Sequence, residues 1–337
     1  SSFLYTDKTI VVSAETSNDS KIDFSLEYPT NQDSNTKGYF KLAMQPEQQQ
    51  TVNIKLTNNN EKPVLINIIK TNALTTQNGG IHYTENEGSA LSYILDKEFL
   101  SSQYIKVENN IELLANSVQI IPIELKAPKK NGTYLSGILF TSEQEQGNEK
   151  ENNDKIHIKS EVRVGTAIQI DVGERQVPKI DIKESIVEVY PSGIQIQTRL
   201  ENTSPSLIKS YALYYKVFDS QNKLMFEGGS EQFDMAPSSG IMFPSNWNNG
   251  QFNEGNYRIQ FGIKGEGKIY TKSNDFEVKK ADIKTYKNTN VTSDNKPIVE
   301  NDNLILIYTL TGVIIILVIY IIITAKRKKQ KEEDANN

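Results

Sequence analysis

Leu304 to Ala325 reads LILIYTLTGVIIILVIYIIITA, with no charged residue in the run. A backbone surrounded by apolar side chains of this kind has one cheap way to satisfy its own N–H and C=O groups, which is to become a helix. About 22 residues at 1.5 Å each give roughly 33 Å, enough to cross the hydrocarbon core of a bilayer. A buried core helix rarely runs so long without a charge or ends in a basic cluster. Here Lys326-Arg327-Lys328-Lys329-Gln330-Lys331 follows at once, and Glu300-Asn301-Asp302-Asn303 precedes. Basic residues beside a span stay on the cytoplasmic side. The expected topology is a transmembrane helix at 304–325, a cytoplasmic tail at 326–337, and everything earlier outside the cell.

The outer part is acidic. Setting aside the five basic and three acidic residues of the tail leaves 32 basic against 39 acidic, a net of −7. That argues against nucleic acid as a partner, because phosphate binding needs a basic surface. There is no cysteine, whereas a eukaryotic ectodomain of this size usually carries disulfides. A cysteine-free exported chain rich in Lys, Ile and Asn has the composition of a Gram-positive surface protein. Near the start, Val12-Ser13-Ala14 has small-x-small character, but Asp7 and Lys8 leave the apolar run too short for a signal peptide. A processed N-terminus is the expectation.

Between the ends, apolar residues recur at every second position, the signature of strands with one buried face. Ile22–Leu26, Thr51–Leu56, Ile111–Leu113 and Ile121–Leu125 read this way, while Val64–Ile69 and Gly137–Phe140 are continuously apolar, as central strands are. Pro122 lacks an N–H, so its strand belongs at an edge or points that nitrogen outwards. Gly38-Tyr39-Phe40 has the character of a plug for this first core. Ser89–Ile105 carries Leu91, Ile94 and Leu95 at helical spacing and predicts a short helix. The acidic, low-complexity stretch Ser142–Lys155 predicts a mobile loop. Alternation resumes at Ile156–Ile158, Val162–Val164 and Ala167–Val172, and Gly173–Pro178 makes a boundary.

A second run of strands follows: Lys179–Ile182, Ile186–Tyr190, Ile194–Leu200, Tyr211–Phe218, Lys223–Phe226, Phe233–Met235, Tyr257–Phe261 and Phe276–Val278. Short strands at intervals of roughly 8–12 residues predict an antiparallel sandwich. The chain is therefore expected to be all-β, with two tandem immunoglobulin-like antiparallel β-sandwiches at 20–174 and 178–280. A polar segment at 1–19 would precede them. A polar, unpatterned stalk at 281–303 would follow, with a reach of roughly 80 Å if extended.

Catalytic machinery is hard to find. His82 and His157 stand far apart, with no recognisable nucleophile or orienting carboxylate, and read as strand or loop residues facing water. No phosphate loop, Gly-x-Ser-x-Gly elbow, zinc spacing or calcium loop occurs, so no cofactor or metal is expected. Carboxylate pairs suited to glycoside hydrolysis arise by chance among so many Asp and Glu. A cell-wall hydrolase or transferase is the alternative reading, and a sensor would need a separate partner for its short tail. Two aromatic residues stand out as contact candidates. On the strand Tyr211–Phe218, Tyr211, Leu213 and Tyr215 share one face and Tyr214 takes the other, free to stack on a sugar or anchor a partner. Trp247, in the loop Pro244–Gly250, is the better candidate for an exposed anchor, against the option that it folds back over the sandwich end.

Several stretches resemble one family. These are Tyr28-Pro29-Thr30-Asn31-Gln32, Gly38–Leu42, Pro46–Thr51, Asn58-Asn59-Asn60-Glu61-Lys62-Pro63, Asn78–Tyr83 and Gly132–Phe140. In the second half they are Leu200-Glu201-Asn202-Thr203-Ser204-Pro205, Met235-Ala236-Pro237-Ser238-Ser239 and Gly255-Asn256-Tyr257. In this order they resemble the WxL-interacting proteins of Gram-positive bacteria. Glu47 stands where that family often has Gly, which leaves the shape of its turn open. The only tryptophan is followed by Asn248-Asn249, so the chain is similar to the partner of WxL proteins and not to a WxL protein. The resemblance implies a peptidoglycan-binding domain, then a host-binding domain, then one membrane helix. It implies WxL-domain surface proteins, peptidoglycan and a host ligand such as an extracellular-matrix protein as partners, and a non-catalytic role in adhesion.

Overall fold

The alternating runs become two pairs of facing sheets in a computed structural model that describes residues 22–85, 92–146 and 158–293. The first half contains β1 (Ile22–Glu27), β2 (Phe40–Met44), β3 (Gln49–Asn58), β4 (Val64–Thr75), β5 (Ile81–Thr84), β6 (Ser92–Ile94), β7 (Ile105–Lys106), β8 (Asn110–Leu113), β9 (Ser117–Lys126), β10 (Gly132–Gln146) and β11 (Ile158–Val172). One sheet has the order β1-β3-β9-β7, and the facing sheet has the order β2-β11-β10-β4-β5 with β8 also on β4. Leu56, Ile54 and Ile123 from one sheet meet Phe40, Leu42, Phe140 and Ile168 from the other in one buried core. All pairs are antiparallel except β2 with β11, which run parallel, a departure from the purely antiparallel expectation.

The second half contains β12 (Ile180–Tyr190), β13 (Gly193–Asn202), β14 (Ile208–Phe218), β15 (Leu224–Met235), β16 (Ser239–Asn246), β17 (Gly255–Gly265), β18 (Lys268–Val278) and the helix α1 (Lys280–Ser293). Its sheets run β12-β13-β16-β6 and β15-β14-β17-β18. Ile196, Leu200 and Ile241 pack against Leu213, Phe233, Phe261 and Ile263.

Both sandwiches reuse the same two devices. Asn58 closes β3 and Asn202 closes β13, and both side chains are fully buried. Asn58 Nδ2 donates to the carbonyls of Lys62, Leu113 and Leu114, while its Oδ1 accepts from Asn60 N–H. Asn202 Nδ2 donates to the carbonyls of Ser206 and Ala236, and its Oδ1 accepts from Ser204 N–H. Each amide thus satisfies turn carbonyls that water cannot reach. The second device is Gly-x-Tyr at the start of a strand. Tyr134 donates its hydroxyl proton to Lys130 O at 2.8 Å, and Tyr257 donates to Asn253 O at 2.9 Å. This is the tyrosine-corner arrangement of immunoglobulin-like sandwiches.

Several expectations are corrected. No helix forms over Ser92–Ile105. Ser92–Ile94 is β6, which pairs with Ile241–Ser239 of β16 and so extends a sheet of the other sandwich. Two short 3-10 turns, Lys97–Phe99 and Ser101–Tyr104, follow. Backbone pairing across the seam overrides the helical spacing of the apolar residues. The acidic stretch is shorter as a loop than its composition suggests, because β10 continues to Gln146 and pairs through Ile158. The three short segments read between 156 and 172 are one strand, β11, as far as it is described. The stretch read as an extended stalk begins as α1, with Ile283 and Tyr286 partly buried against the second core. Pro122 sits as expected: β7 pairs only with Glu124 and Leu125, so β9 is an edge strand at Pro122. Phe40 plugs the first core. His82 lies on β5 and is half-buried, not fully open to water; His157, the N-terminal segment 1–19 and the run 304–337 fall outside the described residues. No helix among the described residues is long and apolar enough to cross a membrane.

Candidate functional site

The aromatic candidates part company. Trp247 follows β16, whose end is tied down when Trp247 N–H donates to Ile194 O at 2.9 Å. That directs the indole inwards over the end of the sandwich. The ring lies among Phe226, Phe252 and Tyr257 at centroid distances of 5.1, 5.1 and 5.2 Å. Its Nε1–H donates to Gln251 O at 3.1 Å, and only 9% of the residue is exposed. The exposed anchor expected at Trp247 is not there, because three aromatic neighbours and an intramolecular acceptor fill its needs. Tyr214 is as expected. Tyr211, Leu213 and Tyr215 are buried, and Tyr214 is 40% exposed on the outer face. Its directly opposed cross-strand neighbours are Gly229 on β15 and Gly262 on β17, neither of which has a side chain. Its hydroxyl donates to Glu231 Oε2 at 2.8 Å.

The seam between the sandwiches is built of polar contacts, the innermost of them buried. Ala236 N–H donates to Thr75 Oγ1 at 3.0 Å, and Gly80 N–H donates to Asp234 O at 2.8 Å. Leu95 N–H donates to Ser238 O at 2.7 Å, and Thr133 N–H donates to Pro205 O at 2.8 Å. Tyr93, on β6, donates to Glu201 at 3.2 Å under the Arg199 guanidinium. Burial, then the Glu201 charge, pushes the Tyr93 phenol up to about 12.

Beside this seam opens a cleft of about 320 Å³. Its first wall comes from β2 and β11. Lys41 Nζ is 2.6 Å from Asp33 Oδ2. Asp171 accepts from Thr133 Oγ1 at 2.8 Å and from Gln169 Nε2 at 2.9 and 3.1 Å. The other wall comes from the linker after β11 and the loop before β14. Arg175 pairs with Glu266, while Lys209, at the rim, has no ion-pair partner among the described residues. Asp33 holds the Lys41 ammonium above its ordinary range, and Glu266 does the same for Arg175, with the Asp171 charge adding to both. The reciprocal effect lowers Asp33 and Glu266. Lys41, Asp171 and Arg175 are thus held in place before any ligand arrives. Sequence reading gave no sign of the cleft, since its charged residues are spread from Asp33 to Glu266. Among the described residues no group of His, Asp and Glu is placed to hold a metal.

Two immunoglobulin-like sandwiches sharing a sheet across a hydrogen-bonded seam define a class of two-module all-β proteins. The peptidoglycan-binding domain model of the WxL Interacting Protein family matches residues 9–142, and that family's host-binding domain model matches 153–288. The chain belongs to the WxL Interacting Protein family. The boundary between the two models falls inside the β10–β11 hairpin, so β11, matched by the second model, completes the first sandwich. No curated protein matches the sequence. Among solved structures, similarity is found to the chaperone–tip adhesin complex of CFA/I fimbriae, at 9% identity over 75% of this chain and 98% of that one, with a TM-score of 0.35. The E. coli chaperone DraB is similar at 11% identity over 77% and 97%, with a TM-score of 0.32.

Proposed function

We propose that this protein is a non-catalytic adhesion protein of the Gram-positive cell surface. The run 304–325 anchors it in the membrane, with the sandwiches outside and the basic tail within. The first sandwich binds peptidoglycan, the second binds a host ligand such as an extracellular-matrix protein, and the pair holds WxL-domain surface proteins at the wall. The observation that supports this reading most is the pairing of the two binding-domain families on one chain whose sandwiches share a sheet. A rigid coupling of that kind would hold both ligands at a fixed separation. Tyr214, exposed between two glycines, is the proposed contact of the second sandwich, since aromatic anchors dominate binding energy at such faces.

The test is co-sedimentation of the full chain in detergent with purified Gram-positive sacculi, and separately capture of a WxL-domain protein. Retention of both is expected. Recovery of neither would remove the reading, and release of soluble muropeptides during the incubation would replace it with an enzymatic one.

A further inference from the structure

The cleft beside the seam is lined by charges of both signs, and Lys41, paired with Asp33, shares a wall with Asp171. Asp171 lies on β11, Glu174 and Arg175 on the linker that follows it, and Lys209 at the start of β14. Asp171 has both oxygens engaged by Gln169 and cannot swing away. Arg175 is steadied from behind by Glu266. Among the described residues, Glu174 and Lys209 have no ion-pair partner. A neutral oligosaccharide would displace water from all these groups and return no counter-charge, which is costly. It would also find one aromatic ring, the half-buried Tyr39, in place of an exposed stacking platform. A ligand carrying both a carboxylate and an ammonium group would satisfy both sets at once. The volume, near the low end for small-ligand sites, suits a few residues and not a long polymer.

We infer that the cleft takes a short zwitterionic peptide, with its carboxylate at Lys209 and Arg175 and its amino group at Asp171 and Glu174. Resting on the wall-binding reading above, this assigns the peptide stems of the wall, and not its glycan strands, as what the cleft grips. All four charges fall within residues 153–288, but β11 with Asp171 belongs to the first sandwich and β14 with Lys209 to the second, so neither sandwich alone would hold the whole site.

The experiment is calorimetric titration of the full chain with the synthetic tetrapeptide L-alanyl-γ-D-glutamyl-L-lysyl-D-alanine and, separately, with the neutral tetramer of N-acetylglucosamine. Sacculus co-sedimentation is run in parallel. The tetrapeptide is expected to bind and the tetramer not. Lys209→Glu is expected to weaken the tetrapeptide at least about tenfold with an unchanged melting temperature, since its side chain is exposed and unpaired. Asp171→Asn is the second variant, which keeps the Thr133 contact and removes the charge. Tetrapeptide binding that survives both substitutions overturns the assignment, as does binding of the tetramer alone. Sacculi retained equally by wild type and Lys209→Glu, with no tetrapeptide binding, would sink the cleft but leave the wall reading intact. Tetrapeptide binding lost in Lys209→Glu, with no sacculus retention at all, would support the cleft and sink the wall reading.

Discussion

Thr75 Oγ1 lies 2.6 Å from Ser239 Oγ across the seam, although 164 residues separate them in sequence. Ser239 Oγ also donates to Ala236 O at 2.7 Å, which fixes its proton there, so Thr75 is the donor to Ser239 while accepting from Ala236 N–H. Both side chains are fully buried. Thr75→Val keeps the shape and strands Ala236 N–H without an acceptor, an effect of about 1–3 kcal/mol. A drop of several degrees in melting temperature is expected, and calorimetry of the wild type should show the two sandwiches melting in one transition. Two separated transitions would mean that the seam does not couple them.

Gly79 makes a second seam prediction. It adopts φ +84°, and a Cβ there would come within 2.3 Å of the Phe233 ring, which is itself fully buried in the second core. Gly79→Ala combines left-handed strain with a clash against a ring that has nowhere to move, so a loss of about 2 kcal/mol or more is expected. Denaturant midpoints would read it. A variant as stable as wild type would show that the sandwiches do not touch here.

Glu47 works in the opposite direction. It takes φ +60° in the turn between β2 and β3, where its N–H donates to Ala127 O at 3.1 Å. The turn therefore keeps the left-handed shape that a glycine adopts freely, and the side chain returns only a loose 3.7 Å approach to Lys129. Glu47→Gly is expected to stabilise the chain by up to about 1 kcal/mol, seen as a higher urea midpoint at unchanged slope. A lower midpoint would show that the ion pair or the unfolded-state entropy of glycine outweighs the relief.

The two aromatic candidates should separate cleanly by stability. Trp247→Ala empties the space between three rings and should cost about 3–5 kcal/mol. Tyr214→Ala touches an open face and should stay within about 0.5 kcal/mol. Comparable losses at both positions would contradict the burial assigned here.

Much of the fold is legible because one buried face writes itself into every second residue. Val52, Ile54 and Leu56 show this, as does Tyr214 opposed to Tyr211 and Tyr215. Three places where that signal fails show different reasons. Ser92–Ile94 is too short to show a period, and its partner, β16, is nearly 150 residues away. The stretch Lys268–Ser273 lies along β18, the edge of its sheet, with its side chains exposed, so no apolar alternation marks it before Phe276. Trp247 sits outside any alternating run, and its ring turns in on contacts distant in sequence, with Ile194 O on its backbone and Phe226 on its ring. The cleft is invisible for a further reason. Its charges come from the strands and loops that flank the seam, and a long-range juxtaposition of ordinary Lys, Asp and Arg residues leaves no local pattern to read.

The Arg175–Glu266 pair sets the acid limit of the cleft. Arg175 donates to Glu266 and holds that carboxyl below its ordinary value of 4.5. The native state therefore binds fewer protons than the unfolded chain near that pH, so the pair's contribution is present above about pH 4.5 and lost as pH falls through the lower native value. Both side chains are substantially exposed, so the contribution stays under about 1 kcal/mol. Glu266→Gln should be slightly less stable than wild type at neutral pH, and the two unfolding curves should converge once the medium is acid enough to protonate Glu266 in the native protein. Carboxyl-carbon NMR titration reads the same quantity directly, with the Glu266 midpoint expected below 4.5; a midpoint at or above that value would show that Arg175 does not hold it.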